Sequence, residues 1–91
     1  MGITRYHLII EGKVQGVGYR MSAYDTARNL GLTGWVRNRQ DGCVEILAES
    51  DKATLERFVA WAKQGPAYAD VAEVTTEELS ASGEFKSFNI R

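Results

Sequence analysis

A loop that contains three glycines and leads into a predicted helix is the first segment of this sequence whose residues could do chemistry. Residues 12–20 read GKVQGVGYR. Glycines let successive backbone N–H groups turn inward around an anion, and a helix N-terminus adds unpaired N–H groups and a partial positive charge. Arg20, in the first turn of that helix, carries a planar guanidinium that can hold two phosphate oxygens. The segment therefore indicates a phosphate cradle, although the same pattern also occurs in loops that merely join a strand to a helix.

The better-known phosphate-binding motifs do not match this segment. A Walker loop has Ser or Thr after its Gly-Lys pair, and Val14 stands there instead. The dinucleotide-binding pattern has a third glycine where this chain has Met21. A cysteine-dependent phosphatase places its cysteine six residues before the phosphate-binding arginine, and that position is again Val14. The lone Cys43 is followed six residues later by Glu49, so it does not complete that motif either.

The hydrophobic pattern predicts the elements that must position this loop. Strand-like alternation and helix-spaced apolar stripes follow one another as strand, helix, strand, strand, helix, strand and a short terminal strand. The predicted elements are strands over residues 5–11, 33–38, 43–49, 71–78 and 85–91, a helix over residues 20–30, and a helix between a cap at Ser50 or Asp51 and Gly65-Pro66. This order is typical of a ferredoxin-like α+β sandwich, an antiparallel sheet with two helices on one face. We therefore predict one domain over residues 1–91.

The same topology predicts that Asn38 lies close to the glycine loop. The first strand, the first helix and the second strand form a crossover, so the first two strands run in one direction. The third strand inserts between them and separates them by about 10 Å, twice the ordinary strand spacing. Residues 12–20 and Asn38 are therefore expected to face one small region of the surface.

Two segments resemble the signatures of the acylphosphatase family. Residues 13–20, KVQGVGYR, are similar to the first signature, and residues 34–38, GWVRN, are similar to the second. Further matches are Asp41-Gly42, Val44-Glu45, Gly65-Pro66 and residues 87–91, SFNIR. The resemblance covers nearly the whole chain and departs from the first signature at Tyr19, where Phe is usual. The added hydroxyl is expected to leave the backbone nest intact and to alter the packing beneath the loop.

The resemblance implies a metal-free and cofactor-free hydrolase that cleaves the carboxyl–phosphate bond of a small-molecule acyl phosphate. It implies that Arg20 binds the phosphate, that Asn38 positions the attacking water, and that inorganic phosphate is both product and inhibitor. The implied phosphate-binding loop consists of Gln15, Gly16, Val17, Gly18, Tyr19 and Arg20. The chemistry agrees, because the conjugate acid of a carboxylate leaving group has a pKa of about 4 and the group departs without protonation. A loose transition state asks little nucleophilicity of the water, so a neutral amide can suffice to orient it.

The composition argues against several other classes of protein. A net charge of −1 lacks the basic footprint of a nucleic-acid-binding protein. No apolar run approaches the roughly 20 residues that span a membrane. The chain has one cysteine and one histidine, too few for a structural metal site, and Cys43 and His7 are expected about 13 Å apart along the sheet.

Two expectations and one alternative complete the sequence-based interpretation. We expect the protein to be a monomer. We expect it to be cytoplasmic, since no secretory leader is evident. We also expect a stand-alone protein, since the sequence begins with Met1 and ends in the final predicted strand. The alternative is a non-catalytic ferredoxin-like domain that binds an anion or regulates a partner, because this fold serves many functions.

Overall fold

The computed structural model describes residues 2–91, which contain two helices and five strands. In chain order they are β1 (Thr4–Lys13), α1 (Tyr19–Asn29), β2 (Thr33–Asn38), β3 (Val44–Ser50), α2 (Lys52–Gln64), β4 (Asp70–Ser80) and β5 (Phe88–Ile90). The order confirms the prediction, but β1 and β4 are longer than predicted and β5 has three residues instead of seven. The expectation of a stand-alone protein depended partly on Met1, which lies outside the described residues.

The strands form a sheet in the order β4-β1-β3-β2-β5. As predicted, β3 lies between β1 and β2 and is antiparallel to both. β4 is antiparallel to β1, whereas β5 runs parallel to β2, so the sheet is mixed rather than antiparallel throughout. β1 and β2 finish at the same end of the sheet, which we call the cradle end. This end therefore carries both Asn38 and the loop between β1 and α1.

The core lies between the sheet and the two helices and fixes where α1 begins. Alternate residues of β1, namely Tyr6, Leu8 and Ile10, are buried. α1 contributes the small buried residues Ala23 and Ala27, and the buried stripe of α2 consists of Leu55, Phe58, Val59 and Ala62. Each large buried side chain stabilises the fold by roughly 1.5–3 kcal/mol relative to exposure. This packing holds the first turn of α1 over the cradle end.

β1 continues beyond the predicted strand because Gly12 lets β4 approach it closely. The register of the β1–β4 pair shifts between Glu11 and Gly12, which is a β-bulge. Gly12 has a φ of +123°, and a Cβ at this position would lie 2.2 Å from the carbonyl oxygen of Asp70. A glycine in this context suggests a loop from sequence, but here it permits two backbones to meet. The loop at the cradle end, which we call the cradle loop, is therefore residues 14–18.

Glu49 anchors the segment that leads into β5. The residue is 2% exposed, and its carboxylate accepts hydrogen bonds from Arg5 Nε at 2.7 Å and from the backbone N–H groups of Ser82 at 2.8 Å and Gly83 at 3.0 Å. Burial by itself raises the pKa of Glu49, but these donors outweigh it and hold the pKa below its ordinary value. The charged carboxylate therefore stabilises the folded chain.

Replacing Glu49 with glutamine should make the protein less stable in a pH-dependent way. We expect Glu49→Gln to lower the free energy of unfolding at pH 7 by about 1.5–3 kcal/mol, because hydrogen bonds to a charged acceptor are lost. The folded pKa lies below the ordinary value of 4.5, so the stabilisation is present above that pH and is lost as the pH falls through the folded pKa. Urea unfolding of both proteins at pH 7 and at steps below pH 4.5 measures the difference, which should shrink on acidification.

A matched control for this prediction is Glu84→Gln. Glu84 also accepts a hydrogen bond from Arg5, but its side chain is 59% exposed. An exposed ion pair contributes little, so this variant should unfold almost as the unchanged protein does. A Glu49→Gln deficit that is the same at every pH would contradict the role assigned to the charge.

Candidate active site

Two glycines of the cradle loop have the left-handed backbone conformation that occurs in anion nests. Gly16 and Gly18 have φ values of +75° and +81°, in the left-handed region that favours glycine. Apart from the two chain neighbours of each glycine, no heavy atom of residues 2–91 lies within 4 Å of a Cβ built on either one, so backbone conformation, not lack of room, calls for glycine. Gly18 is also the N-cap of α1, and it has no side chain that could accept hydrogen bonds from the first-turn N–H groups. These N–H groups are therefore available to an anion.

A pocket of about 220 Å³ opens at the cradle end and brings the two predicted catalytic residues together. Arg20 and Asn38 both line this pocket, as the topology predicts. The other lining residues are Val14, Gly16, Gly18, Tyr19, Met21 and Ile90. The volume is several times the roughly 30 Å³ that a water molecule occupies in the liquid, so the pocket can admit a small anion such as phosphate.

Arg20 is the arginine of this pocket that is free to bind a ligand. It is exposed in the first turn of α1, and it makes no ion pair within residues 2–91. The arginines on either side of Asn38 are engaged: Arg37 pairs with Glu45 at 2.6 Å, and Arg39 pairs with Asp41 at 3.0 Å. A cation at a helix N-terminus is unfavourable for the helix dipole, so the position of Arg20 indicates a function that outweighs local stability.

Asn38 ends β2 and presents a buried amide oxygen with no protein partner. Its Oδ1 has no hydrogen bond to any of residues 2–91. Buried polar side-chain atoms are nearly always paired, and leaving one unpaired costs about 1–3 kcal/mol. An unpaired acceptor on a residue that lines the pocket is therefore suited to bind a molecule from outside the chain, such as a water or a substrate group.

Two members of the predicted phosphate-binding loop do not line the pocket. The side chain of Gln15 instead donates its Nε2 hydrogens to the carbonyl oxygens of Arg39 at 2.8 Å and Cys43 at 2.9 Å. It thereby joins the cradle loop to the β2–β3 turn that follows Asn38. Val17 is half-buried and packs against the hydrophobic core. Any contribution of these two residues to phosphate binding would come from their backbone N–H groups.

Tyr19 is buried beneath the cradle loop and connects α1 to the end of α2. It is 1% exposed, its ring lies 5.3 Å from that of Trp61, and its hydroxyl donates to the carbonyl oxygen of Ala62 at 2.8 Å. Burial raises the pKa of Tyr19 well above its usual value. The residue four positions after Ala62 is Pro66, which has no N–H to bond that carbonyl. The hydroxyl that distinguishes this chain from the usual Phe therefore pairs an otherwise orphaned acceptor.

Removing this hydroxyl should destabilise the protein. We expect Tyr19→Phe to lower the free energy of unfolding by about 1–3 kcal/mol, because the buried Ala62 carbonyl loses its partner. Tyr24→Phe is the control, since the Tyr24 hydroxyl accepts from Arg28 at an exposed position of the same helix. Urea unfolding measures both variants. Equal stability of Tyr19→Phe and the unchanged protein would show that the hydrogen bond contributes nothing net.

Sequence reasoning placed Val14 within the glycine loop but did not name Val14, Met21 or Ile90 as residues of the site. Val14 lies inside the first signature and Met21 directly follows Arg20, so their positions carried a usable signal. Ile90 carried none, because its place depends on β5 adding parallel to β2. Their side chains are apolar, so they add no polar side-chain group to the pocket.

The lone cysteine and histidine do not form a second site. His7 aligns with Leu47, four residues along β3 from Cys43, and its Nε2 lies 2.6 Å from Glu45 Oε2. Burial raises the pKa of the Cys43 thiol, which disfavours the nucleophilic thiolate. No cluster of three or more His, Cys, Asp or Glu side chains that could hold a metal ion occurs in residues 2–91. None of the helices in this range is long and apolar enough to cross a bilayer.

Comparison with known proteins identifies the family of this chain. The model of the acylphosphatase family matches residues 6–90. Acylphosphatases of Marinobacter nauticus and Methylococcus capsulatus are 52% and 45% identical to this chain, each over 97% of it and 96% of their own length. The crystal structure of acylphosphatase from Bacillus subtilis is similar with a TM-score of 0.93 at 38% identity, covering 97% of this chain and 98% of that one. The resemblance indicated by the two signatures is thus confirmed, and the chain belongs to the acylphosphatase family.

Proposed function

We propose that Arg20 and the backbone of residues 15–20 hold the phosphate group of an acyl phosphate while Asn38 places the water that hydrolyses it. Family membership makes the reaction the hydrolysis of a small-molecule acyl phosphate to a carboxylate and inorganic phosphate. The observation that carries the residue roles is one pocket that combines an unpaired arginine with a buried amide oxygen lacking a protein partner.

In this mechanism the cradle neutralises the charge of the phosphate. The guanidinium of Arg20 donates two parallel hydrogen bonds to two phosphate oxygens, and first-turn N–H groups of α1 donate to the oxygens that remain. Donors that are already in place need no reorganisation as the reaction proceeds, which is the main source of electrostatic catalysis. Inorganic phosphate offers the same oxygens, so it should compete with substrate.

Asn38 acts on the water. Its Oδ1 accepts a hydrogen bond from the water and directs the water oxygen at phosphorus, in line with the acyl oxygen. The new P–O bond forms as the bond between phosphorus and the acyl oxygen breaks, and the electron pair leaves on the carboxylate. A phosphate oxygen takes the proton of the water, so the products are a carboxylate and a protonated phosphate. The carboxylate needs no general acid.

A non-catalytic anion-binding or regulatory domain is the alternative, and it accounts for less of the pocket. Such a domain would use the nest and Arg20, but it would gain nothing from an unpaired acceptor beside a bound anion. The monomeric state, one domain over residues 1–91, the cytoplasmic location and the absence of nucleic-acid and membrane partners remain predictions.

Turnover of acetyl phosphate and benzoyl phosphate by the purified protein tests the proposed function. We expect both to be hydrolysed at rates that EDTA does not change, and we expect glycerol phosphate to be a poor substrate because an alkoxide needs protonation. Phosphate inhibition is measured in the same assay. Loss of activity in EDTA with recovery on adding a divalent cation would contradict the mechanism, and phosphate binding without turnover would support the alternative domain.

A further inference from the structure

We propose that Met21 and Ile90 form an apolar rim that binds the acyl group, so that this protein prefers acyl phosphates with extended apolar acyl groups. The inference rests on the proposed function and specifies the class of substrate for that site. It begins from the contrast between the polar groups of the pocket and the apolar residues that line the rest of it.

The two rim residues are large, apolar and exposed at the mouth of the pocket. Met21 is 56% exposed and Ile90 is 38% exposed, and both line the pocket that contains Arg20 and Asn38. Scattered single apolar residues on a surface need no explanation, but two that converge on a ligand pocket indicate apolar contact with the ligand. Val14, 1% exposed, supplies a further apolar wall.

The rim lies where the acyl group must pass. The phosphate is held by the loop amides and by Arg20, so the rest of the substrate extends toward the mouth of the pocket. Met21 follows Arg20 in α1, and Ile90 pairs with Val36, two residues before Asn38. One rim residue thus lies on the helix that carries Arg20, and the other lies on the strand that pairs with the strand of Asn38.

The chemistry of the rim selects among acyl groups. An alkyl or aromatic acyl group would cover Met21 and Ile90 and remove apolar surface from water. An acetyl group is too short to cover both, and a carboxylate at the far end of a chain would lose hydration against apolar side chains without gaining a partner. Inorganic phosphate has no acyl group, so its binding should not depend on the rim.

A chain-length series separates contact with the acyl group from chemical reactivity. Acetyl, butanoyl and hexanoyl phosphate release carboxylates of similar basicity, so differences in kcat/KM report contact with the chain. We expect kcat/KM to rise from acetyl to hexanoyl phosphate. We expect it to be lower for succinyl phosphate, whose acyl group ends in a carboxylate, than for butanoyl phosphate. Met21→Ser and Ile90→Ser should each lower the hexanoyl-to-acetyl ratio of kcat/KM by about three- to tenfold, since each side chain covers only part of the acyl chain at an open site. The inhibition constant for phosphate should stay the same.

The chain offers matched controls at the opposite end of the sheet. Ile3 is 57% exposed and Leu79 is 37% exposed, nearly the same as Met21 and Ile90, and Leu79 pairs with Arg5, far from the cradle loop. Ile3→Ser and Leu79→Ser should leave the hexanoyl-to-acetyl ratio unchanged. The conservative variants Met21→Leu and Ile90→Val should retain most of it.

The outcomes distinguish the rim from the proposed function. The rim would be overturned by equal kcat/KM values for all chain lengths, or by serine variants that keep the original hexanoyl-to-acetyl ratio. In either case, turnover of acetyl phosphate would still support the proposed function. Failure of the unchanged protein to hydrolyse any acyl phosphate would overturn both. A rising series that the rim variants flatten and the control variants do not would establish the rim.

Discussion

Arg20→Lys should be nearly as inactive as Arg20→Ala, with kcat/KM lowered by about two to three orders of magnitude in each. The guanidinium is a planar fork that matches two phosphate oxygens, whereas an ammonium group is a point charge on a flexible stem. Arg20 makes no ion pair within residues 2–91, so a structural partner is not what requires arginine here. Loss of one preorganised donor to the reacting group costs about a hundred- to thousandfold in rate.

Stability measurements separate this effect from unfolding. A cation at the N-terminus of α1 opposes the helix dipole, so Arg20→Ala should leave the free energy of unfolding unchanged or raise it by a few tenths of a kcal/mol. Arg28→Lys, in the last turn of the same helix, is the control and should keep full activity. Both Arg20 variants should also bind inorganic phosphate more weakly. Retention of most activity and phosphate affinity by Arg20→Lys would remove the bidentate role.

Asn38→Ala should lower kcat by about a hundred- to thousandfold and change KM only a few-fold. The amide carries no charge, so phosphate binding in the ground state should survive its loss, while orientation of the water should not. A fall in kcat with little change in KM is the signature of an interaction made only in the transition state. Asn38→Asp should be as inactive or worse, because a carboxylate repels the bound phosphate.

The unpaired oxygen of Asn38 adds a second readout to this prediction. Because Oδ1 is buried with no protein partner within residues 2–91, deleting it should leave the free energy of unfolding unchanged or raise it. If Asn38 only terminates β2, the same variant should instead be less stable and should keep the kcat of its folded fraction. Asn29→Ala, at the last residue of α1, is the control for a general effect of losing an asparagine. A folded Asn38→Ala variant with near-normal kcat would exclude Asn38 from the mechanism.

The meeting of Arg20 and Asn38 could be predicted because it depends on connectivity alone. Because β1, α1 and β2 form a crossover between parallel strands, the cradle loop and the end of β2 lie at the same end of the sheet. β3 lies between β1 and β2. Local patterns were sufficient for this step: alternation in β1, an apolar stripe in α2, and a helix cap at Ser50 or Asp51. In the structure Asp51 is the cap, and its carboxylate accepts from the N–H of Thr54.

The features that could not be predicted depend on contacts between distant segments. Gly12 belongs to a strand only because the β4 backbone approaches it, and Gln15 bonds the β2–β3 turn through carbonyls that no sequence pattern reveals. Ile90 reaches the pocket through β5, and the segment before β5 is held in place by the buried carboxylate of Glu49. In each case the deciding partner lies more than 20 residues away along the chain.

The position of β1 between β3 and β4 also sets the order in which a nascent chain can assemble. β1 is synthesised before the other strands, yet Thr4 pairs with Ser80, so one side of β1 finds its partner only after β4 has also emerged from the ribosome. At about 5–20 residues per second, this leaves several seconds in which β1, whose alternate residues Tyr6, Leu8 and Ile10 are apolar, exposes unpaired N–H and C=O groups. Pairings between segments so far apart are also slow to form once the chain is free, on the scale of milliseconds to seconds. Self-association during synthesis should therefore begin at the strand that later becomes an interior strand of the sheet.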